Sequence, residues 1–144
     1  MPTLPTATAS IKSRIAANFS AVTVRYHNEG VTLPDEPAPF AFVEIILERA
    51  FLAGFGGGPG DNLQRSAGRI EAHFLVPVGW GIEDGLSWAE QFAAVFRGQR
   101  VDDINYFGIG GDMAQVFPAD GKTEDGSYAH IATAIVPFFF DQAG

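Results

Sequence analysis

The sequence of 144 residues contains no cysteine, which excludes disulfide bridges, thiolate metal sites and a cysteine nucleophile. Lysine and arginine are scarce, nine against 17 aspartates and glutamates, and nowhere do they form a basic cluster. Proteins neutralise the phosphates of nucleic acids with clustered basic side chains, so the sequence does not predict a nucleic-acid-binding surface. The longest apolar run, 131–140, is too short to span a bilayer, and residues 1–5 lack the features of a signal peptide. We therefore expect a soluble cytoplasmic product that does not enter a membrane.

The acidic excess, a formal net charge of −8, is confined to the second half of the chain. Residues 1–70 carry six basic and six acidic side chains, whereas residues 71–144 carry three and eleven. The simplest interpretation is a solvated acidic surface that keeps the protein soluble.

Length and hydrophobic content predict one domain over residues 1–144. A chain of this size fits a single compact domain. Hydrophobic residues make up 47% of it and 13 are phenylalanine. It can therefore bury roughly 68–70% of the surface that its unfolded form exposes, around one core.

Two helices are predicted from apolar residues at three- and four-residue spacing. The first covers about 6–19 and the second covers 83–98, where Glu83 and Asp84 oppose the positive helix end and Gly98 supplies a stop. The apolar positions are Ile11, Ile15 and Phe19 in the first helix, and Leu86, Ala89, Phe92, Ala93 and Phe96 in the second.

Strands are predicted over 22–26, 40–51, 67–78, 101–107, 112–117 and 127–140, and a long exposed loop with three prolines over 28–39. The alternation in 40–51 sets Ala41, Val43, Ile45 and Leu47 on one face and Glu44 and Glu48 on the other. Together with the alternation in 67–78, it suits a long hairpin that sets Arg69 opposite Glu44 or Glu48. Pro137 favours an edge or a bulge for its part of the last strand. The order αβββαβββ predicts an α+β fold: a mixed, largely antiparallel sheet with two helices packed on one face.

Glycine-rich segments resemble nucleotide-binding loops only superficially. The run over 54–60 lacks the Lys-Ser/Thr of a P-loop and the spacing of a dinucleotide fingerprint, and 108–111 fails the same comparison. We predict instead that 54–61 is a mobile hairpin tip, which becomes ordered only against a neighbouring protein.

Catalytic and metal-binding patterns are also lacking. His27, His73 and His130 are far apart in sequence and have no i+4 partner, so zinc ligation is not predicted, and we expect them at the surface or facing across strands. Ser87 would lie inside a helix, not on a nucleophile elbow. Acid pairs at 102–103 and 124–125 suit solvated loops. The sequence thus predicts no enzyme, no cofactor and no metal site.

Three consecutive phenylalanines at 138–140 cannot all enter one face of a core, because neighbouring strand residues point to opposite faces. At least one ring must face outward, where either a protein interface or a second layer of the same domain could cover it. The residues predicted for a protein interface are Phe55, Arg65, Arg69, Phe138, Phe139 and Phe140.

The segments Phe-Leu-Val-Pro-Val-Gly-Trp-Gly at 74–81 and Ala-Ala-Val-Phe-Arg-Gly at 93–98 together resemble a family core. This core, a strand, Pro-x-Gly-x-Gly, a helix and Phe-x-Gly, is that of the tail terminator and tail completion proteins of long-tailed phages and phage-derived gene transfer particles. Such proteins begin with a helix, continue through a proline-rich loop into a strand similar to 40–47, and end on a strand similar to 129–140.

The resemblance implies a structural virion protein without catalysis, located in the tail and assembled in the host cytoplasm. It implies a six-subunit ring that caps the head-proximal end of the tail tube, ends tube polymerisation and joins the head. The implied partners are further copies of the chain, the tail tube protein and a head connector or neck protein. DNA would pass through without specific binding, helped by an acidic bore.

Two other classes of function remain open from the sequence. One is another neck or head-tail connector protein, which would share the composition and the lack of catalysis. The other is a small α+β ligand-binding module or enzyme, which would need a pocket with convergent polar groups.

Overall fold

The computed structural model describes residues 2–27, 29, 37–54, 57–58 and 60–143. In this part of the chain, two helices and seven strands follow one another as α1 (Leu4–Asn18), β1 (Thr23–Tyr26), β2 (Phe40–Gly54), β3 (Leu63–Pro77), α2 (Glu83–Phe96), β4 (Arg100–Val101), β5 (Ile104–Asn105), β6 (Gln115–Lys122) and β7 (Tyr128–Ala143). The predicted α+β class is confirmed.

All seven strands belong to one curled sheet with the order β1-β2-β3-β7-β5-β4, and β6 pairs with β7 as well. Among the described strands, only β1 and β2 run parallel to each other, and the remaining pairs are antiparallel. The sheet is therefore mixed and largely antiparallel, as the alternation predicts. The long hairpin of β2 and β3 is confirmed.

One predicted strand, over 101–107, is instead a pair of two-residue strands, β4 and β5. Asp102 and Asp103 between them have φ values of 53° and 62°. Two consecutive positive φ angles are typical of a type I′ hairpin turn, a conformation that aspartate tolerates better than most residues. The second helix is consequently followed by four strands, not three.

Pro137 lies on an internal strand, yet at a local gap in the pairing. On one side β7 pairs with β3, and Pro137 lies opposite Arg69. On the other side the β6 ladder reaches Ile135 and β5 pairs at Phe139. Proline has no N–H to donate, so the position between these two partners accommodates it.

Both helices pack on one face of the sheet. In α1, Thr3 caps the first turn and Pro5 lies within it, while Ala7, Ile11 and Ile15 are buried. In α2, Phe92 packs edge-on against Phe74 of β3, with ring centroids 6.3 Å apart. The predicted stripe on α2 is confirmed, since Ala89, Phe92, Ala93 and Phe96 are fully buried and Leu86 is partly buried.

The two faces of the sheet differ in composition because residues directly opposite each other in the register share a face. Under the helices, Ile70 and Phe74 lie opposite Val136 and Ala132. The other face, called the open face below, has neither described helix on it. Its residues include Phe42, Glu44 and Ile46 of β2, Arg65, Arg69, Glu71 and His73 of β3, and Thr133, Ile135, Pro137, Phe139 and Asp141 of β7.

The alternation predicts correctly which side chains are buried in the first part of β2, but not towards its end. Ala41 and Val43 are buried as the alternation indicates, but Leu47 is 40% exposed. The register with β3 shifts between Leu47 and Arg49, so a bulge interrupts the alternation there.

Two sequence predictions fall partly on residues that are not described. Phe55, Gly56 and Pro59 of the predicted mobile tip lie outside the described residues, and so Phe55 is a candidate without a structural account. Most of the predicted loop over 28–39 lies outside them too. In the part that is described, neither helix is long and apolar enough to cross a membrane.

We predict that Phe92→Ala or Phe96→Ala lowers the free energy of unfolding by about 3–5 kcal/mol, because each change empties a fully buried ring site. Urea unfolding of the purified protein measures this loss. Gln91→Ala, on the exposed side of the same helix, is the matched control and should stay within about 0.5 kcal/mol of wild type. A loss below about 1 kcal/mol for either phenylalanine would contradict the packing.

Candidate functional site

The open face contains two regions that differ in chemistry. The first, the polar cluster, consists of Glu44, Glu71, His73, His130 and Thr133. The second is a groove near the other end of the face, between charged residues of β2 and β3 and apolar residues of β6 and the segment before it.

Two carboxylates face each other in the polar cluster. Glu44 and Glu71 are directly opposite in the β2–β3 register. One carboxylate oxygen of each and one ring nitrogen of His73 all lie within 4.8 Å of one another. The side chains are 35%, 19% and 24% exposed for Glu44, Glu71 and His73, so solvent reaches the cluster. Like charges directly opposite on neighbouring strands destabilise a sheet.

A bulge in β7 brings the two histidines together. The register with β3 passes from Ala132 to His130, so that His130 lies on the same face as His73. Their rings meet edge to face with centroids 5.1 Å apart. The hydroxyl of Thr133 lies 3.2 Å from Nδ1 of His73 and 2.8 Å from Nε2 of His130.

The surroundings of His130 fix its tautomer. Its Nε2 lies 3.1 Å from the carbonyl oxygen of Ala132, and a carbonyl can only accept, so Nε2 is the protonated donor. Burial lowers the pKa of His130, and the nearby charge of His73 lowers it further. Both effects favour the neutral form of the ring, which is oriented towards the Thr133 hydroxyl.

Arg69 connects the polar cluster to the groove. Its Nη1 donates to Glu48 at 2.8 Å, which confirms the predicted cross-strand contact with that residue. Its Nε lies 3.4 Å from Glu71. One guanidinium thus offsets part of the charge of two carboxylates.

Arg65 and Phe139, two of the predicted interface residues, lie together at the end of the open face. The Arg65 guanidinium donates two hydrogen bonds to Asp141, at 2.7 and 2.9 Å, and lies 4.9 Å from the centre of the Phe139 ring. Phe107 packs against the same ring edge-on at 5.6 Å. Phe139 is the outward ring that the sequence requires, and it is half-buried by these neighbours.

Phe138 and Phe140 are wrongly predicted as interface residues. They are 1% and 0% exposed, and their rings stack in the core with centroids 6.4 Å apart. Residues at i and i+2 on a strand share a face, so these two point under the helices while Phe139 points away. Side chains buried in the monomer's core cannot form an interface surface.

The groove has a volume of about 440 Å³ and two unlike banks. One bank carries Glu48, Arg49 and Arg69. On the other bank, Ile109, Met113 and Phe117 are 41%, 42% and 43% exposed. The bank begins with a tight turn in which Gly108 donates to the Asp112 carbonyl at 2.7 Å and Gly111 donates to the Gly108 carbonyl at 2.9 Å. The second glycine-rich segment thus forms a turn beside the groove.

The sequence did not reveal the polar cluster, because its members come from three strands. Only the spacing of Glu71 and His73, two residues apart on one strand, was visible as a shared face. The pairing with Glu44 and the bulge that adds His130 depend on strand register. Register is set by the whole sheet and by no local motif.

The geometry fits two kinds of interaction: a protein surface packed into the groove, and a cation held by the oxygen and nitrogen donors of the polar cluster.

The sequence matches no protein-family model and no curated protein. The proposals below are therefore argued from the residues and their arrangement.

Glu44→Gln is predicted to stabilise the protein by about 0.2–1 kcal/mol, because it removes one of two carboxylates that face each other across the strands. Glu48→Gln, a change of the same charge on the same strand, removes a partner of Arg69 and should be neutral or destabilising by up to about 1 kcal/mol. Urea unfolding at neutral pH in the presence of EDTA compares the two. Equal effects of the two substitutions would contradict the repulsion.

The lowered pKa of His130 predicts that folding stability falls as pH falls. Above the ordinary histidine pKa of about 6.5 the ring is neutral in both states, but below it the unfolded chain binds a proton more readily than the folded one. Unfolding at pH 7.5 and 5.5 should show a smaller acid-induced loss in His130→Gln than in wild type. His27→Gln, in an exposed turn, should retain the wild-type loss, and identical losses in all three proteins would refute the prediction.

Proposed function

We propose that this chain is a structural protein of a phage-like tail, which forms a ring at the head-proximal end of the tail tube, ends its polymerisation and mediates joining to the head. The observation that supports this most is the groove on the open face. It presents exposed apolar side chains next to charged ones on a sheet surface that neither described helix covers.

The apolar bank has the character of an interface core. Three neighbouring groove residues, Ile109, Met113 and Phe117, each leave more than two fifths of their surface in water. Contiguous exposed apolar surface in a soluble protein usually marks a site of association. Methionine and aromatic residues are also enriched in interfaces relative to other surfaces.

The charged bank supplies the polar rim that a specific contact needs. Arg49 and Arg69 lie beside Glu48, so the bank carries both signs of charge. Such a rim contributes orientation and partner choice more than affinity. Contact with a neighbouring subunit would thus bury the apolar surface, and the charged edge would fix the angle between the two subunits. A fixed angle is what closure of a ring requires.

The order of elements is also consistent with the family resemblance. A helix opens the described chain, β2 follows the proline-rich segment, and β7 ends it. The Pro-x-Gly-x-Gly turn lies between β3 and α2, and both of its glycines, Gly79 and Gly81, have positive φ angles, 94° and 92°. Glycine adopts this conformation without strain, which accounts for the two glycines in the motif.

The acidic second half fits a channel for DNA. A bore lined with carboxylates repels the phosphate backbone, so DNA slides without being retained. On this proposal the partners are other copies of the chain, the tail tube protein and a head connector, and the protein has no catalytic role.

Mass measurement of the purified protein, alone and with tail tubes, tests ring formation. We expect an oligomer, most simply a hexamer, and we expect Ile109→Asp or Met113→Asp to shift it towards the monomer because each places a charge on the apolar bank. Ile82→Asp is the control, since Ile82 is 52% exposed but lies before α2 and away from the groove. Loss of the oligomer in the control as well would contradict the groove as the contact.

Deletion of the gene from the genome that encodes the particle distinguishes the two virion functions, tail terminator and neck or connector protein. A terminator should leave filled heads without attached tails, together with tubes of uncontrolled length, and Ile82→Asp but not Ile109→Asp should restore normal length. A neck or connector protein would leave tube length normal while still blocking attachment. Normal tubes joined to heads would exclude both functions and favour the ligand-binding module or enzyme.

A further inference from the structure

We propose that Glu44, Glu71 and His73 form a binding site for a divalent transition-metal ion, and that Zn²⁺ is the ion that these donors suit best. The histidine spacing in the sequence predicts no metal site. The three residues nevertheless meet on the open face, and the inference does not depend on the function proposed above.

The donor set and its placement fit a zinc site with an open position. Zn²⁺ binds imidazole nitrogen and carboxylate oxygen, and three protein ligands leave the fourth position for water or another ligand. Here Glu71 and His73 are two residues apart on β3, and Glu44 is opposite Glu71 on β2. All three side chains therefore leave the same face and converge on one point above it.

The distances require only a small adjustment. A tetrahedral ion with bonds of about 2.1 Å separates its ligand atoms by roughly 3.4 Å. Nε2 of His73 lies 4.0 Å from Oε1 of Glu44, and the donor atoms of all three residues lie within 4.8 Å of one another. Side-chain rotation can close these gaps because each of the three side chains is partly exposed.

The charges favour a cation at this point. Glu44 and Glu71 repel each other across the strands, and among the described residues the salt-bridge partner of Glu44 is His73, whose ring offsets this charge only when it is protonated. Arg69 does not neutralise the pair, because it lies 3.4 Å from one oxygen of Glu71 and donates a shorter bond to Glu48. A divalent ion between the two carboxylates would convert this repulsion into attraction.

Thr133 holds the histidine in an orientation suited to a metal ligand. A hydroxyl can accept two hydrogen bonds, so Thr133 can accept from Nδ1 of His73 and share with the Ala132 carbonyl the single Nε2–H of His130. This leaves Nε2 of His73, the atom nearest Glu44, free to coordinate. Outer partners of this kind fix the tautomer and orientation of ligating histidines. His130 acts as a positioning residue and not as a ligand.

Isothermal titration of Zn²⁺ into protein purified without a histidine tag and stripped with EDTA tests the site. We expect one saturable Zn²⁺ per chain and a rise in the thermal unfolding midpoint. Glu44→Gln and His73→Gln each remove a ligand and should weaken binding by more than about 100-fold, beyond the 10–100-fold range of outer partners. Thr133→Val, which keeps the shape of the side chain, should weaken binding by about 10–100-fold.

Glu48→Gln is the matched control, because it removes the same charge from the same strand without removing a proposed ligand. It should bind Zn²⁺ within about fivefold of wild type, because the change only frees Arg69 from one exposed ion pair. Because Glu44→Gln relieves a repulsion, its unfolding midpoint in EDTA should equal or exceed that of wild type, which separates loss of the site from loss of the fold.

Three results would overturn the proposal: no saturable Zn²⁺ binding by the wild type, equal weakening in Glu44→Gln and Glu48→Gln, or perturbation by Zn²⁺ of the NMR signals of His27 but not of His73. The second would indicate a diffuse acidic surface, and the third an adventitious ion elsewhere. The mass of the oligomer is measured separately, in EDTA, so that the test of ring formation does not depend on Zn²⁺. Failure of the Zn²⁺ proposal is thereby distinguishable from failure of the ring proposal.

Discussion

The register of β3 between β2 and β7 is the constraint on which both faces of this protein depend. One alternation places Ile70, Ala72 and Phe74 under the helices and Arg69, Glu71 and His73 on the open face. A slip of one residue would exchange the two sets and bury three ionisable groups in the core. The energy that holds Phe74 against Phe92 thus also holds the polar cluster in place. Core packing and surface chemistry are specified together.

Gly68 shows how closely the strands approach at the point where this register is fixed. A Cβ atom at this position would lie 2.1 Å from the carbonyl oxygen of Ile46 and 3.0 Å from the edge of the Phe138 ring. Backbone cannot yield as a flexible side chain can, so the position requires glycine. Because Gly68 has no side chain, the ring of Phe138 fills the space next to it and is buried in the core. Phe139, the next residue, therefore lies on the open face.

Local periodicity in the sequence was enough to predict both helices, the β2–β3 hairpin and the core-facing side of the first part of β2, because the burial of apolar residues determines these features. It failed where the backbone departs from regularity. The turn at Asp102 and Asp103 divided a predicted strand, and the bulge near Leu47 exposed a side chain that alternation would bury. The polar cluster was missed for a related reason, since it needs the bulge in β7 and pairings between residues far apart in the chain.

The open face therefore contains the features that sequence patterns predict least well. Its two regions, the polar cluster and the groove, are connected by Arg69. Arg69 lines the groove and contacts Glu48 there, while its Nε faces Glu71 of the polar cluster at 3.4 Å. A change in the charge around Glu71 would alter how strongly it attracts Arg69, and so the position of that guanidinium relative to the groove. On the metal-site proposal, occupancy of the cluster would thereby be coupled to the charge of the groove's polar bank through a single side chain, Arg69.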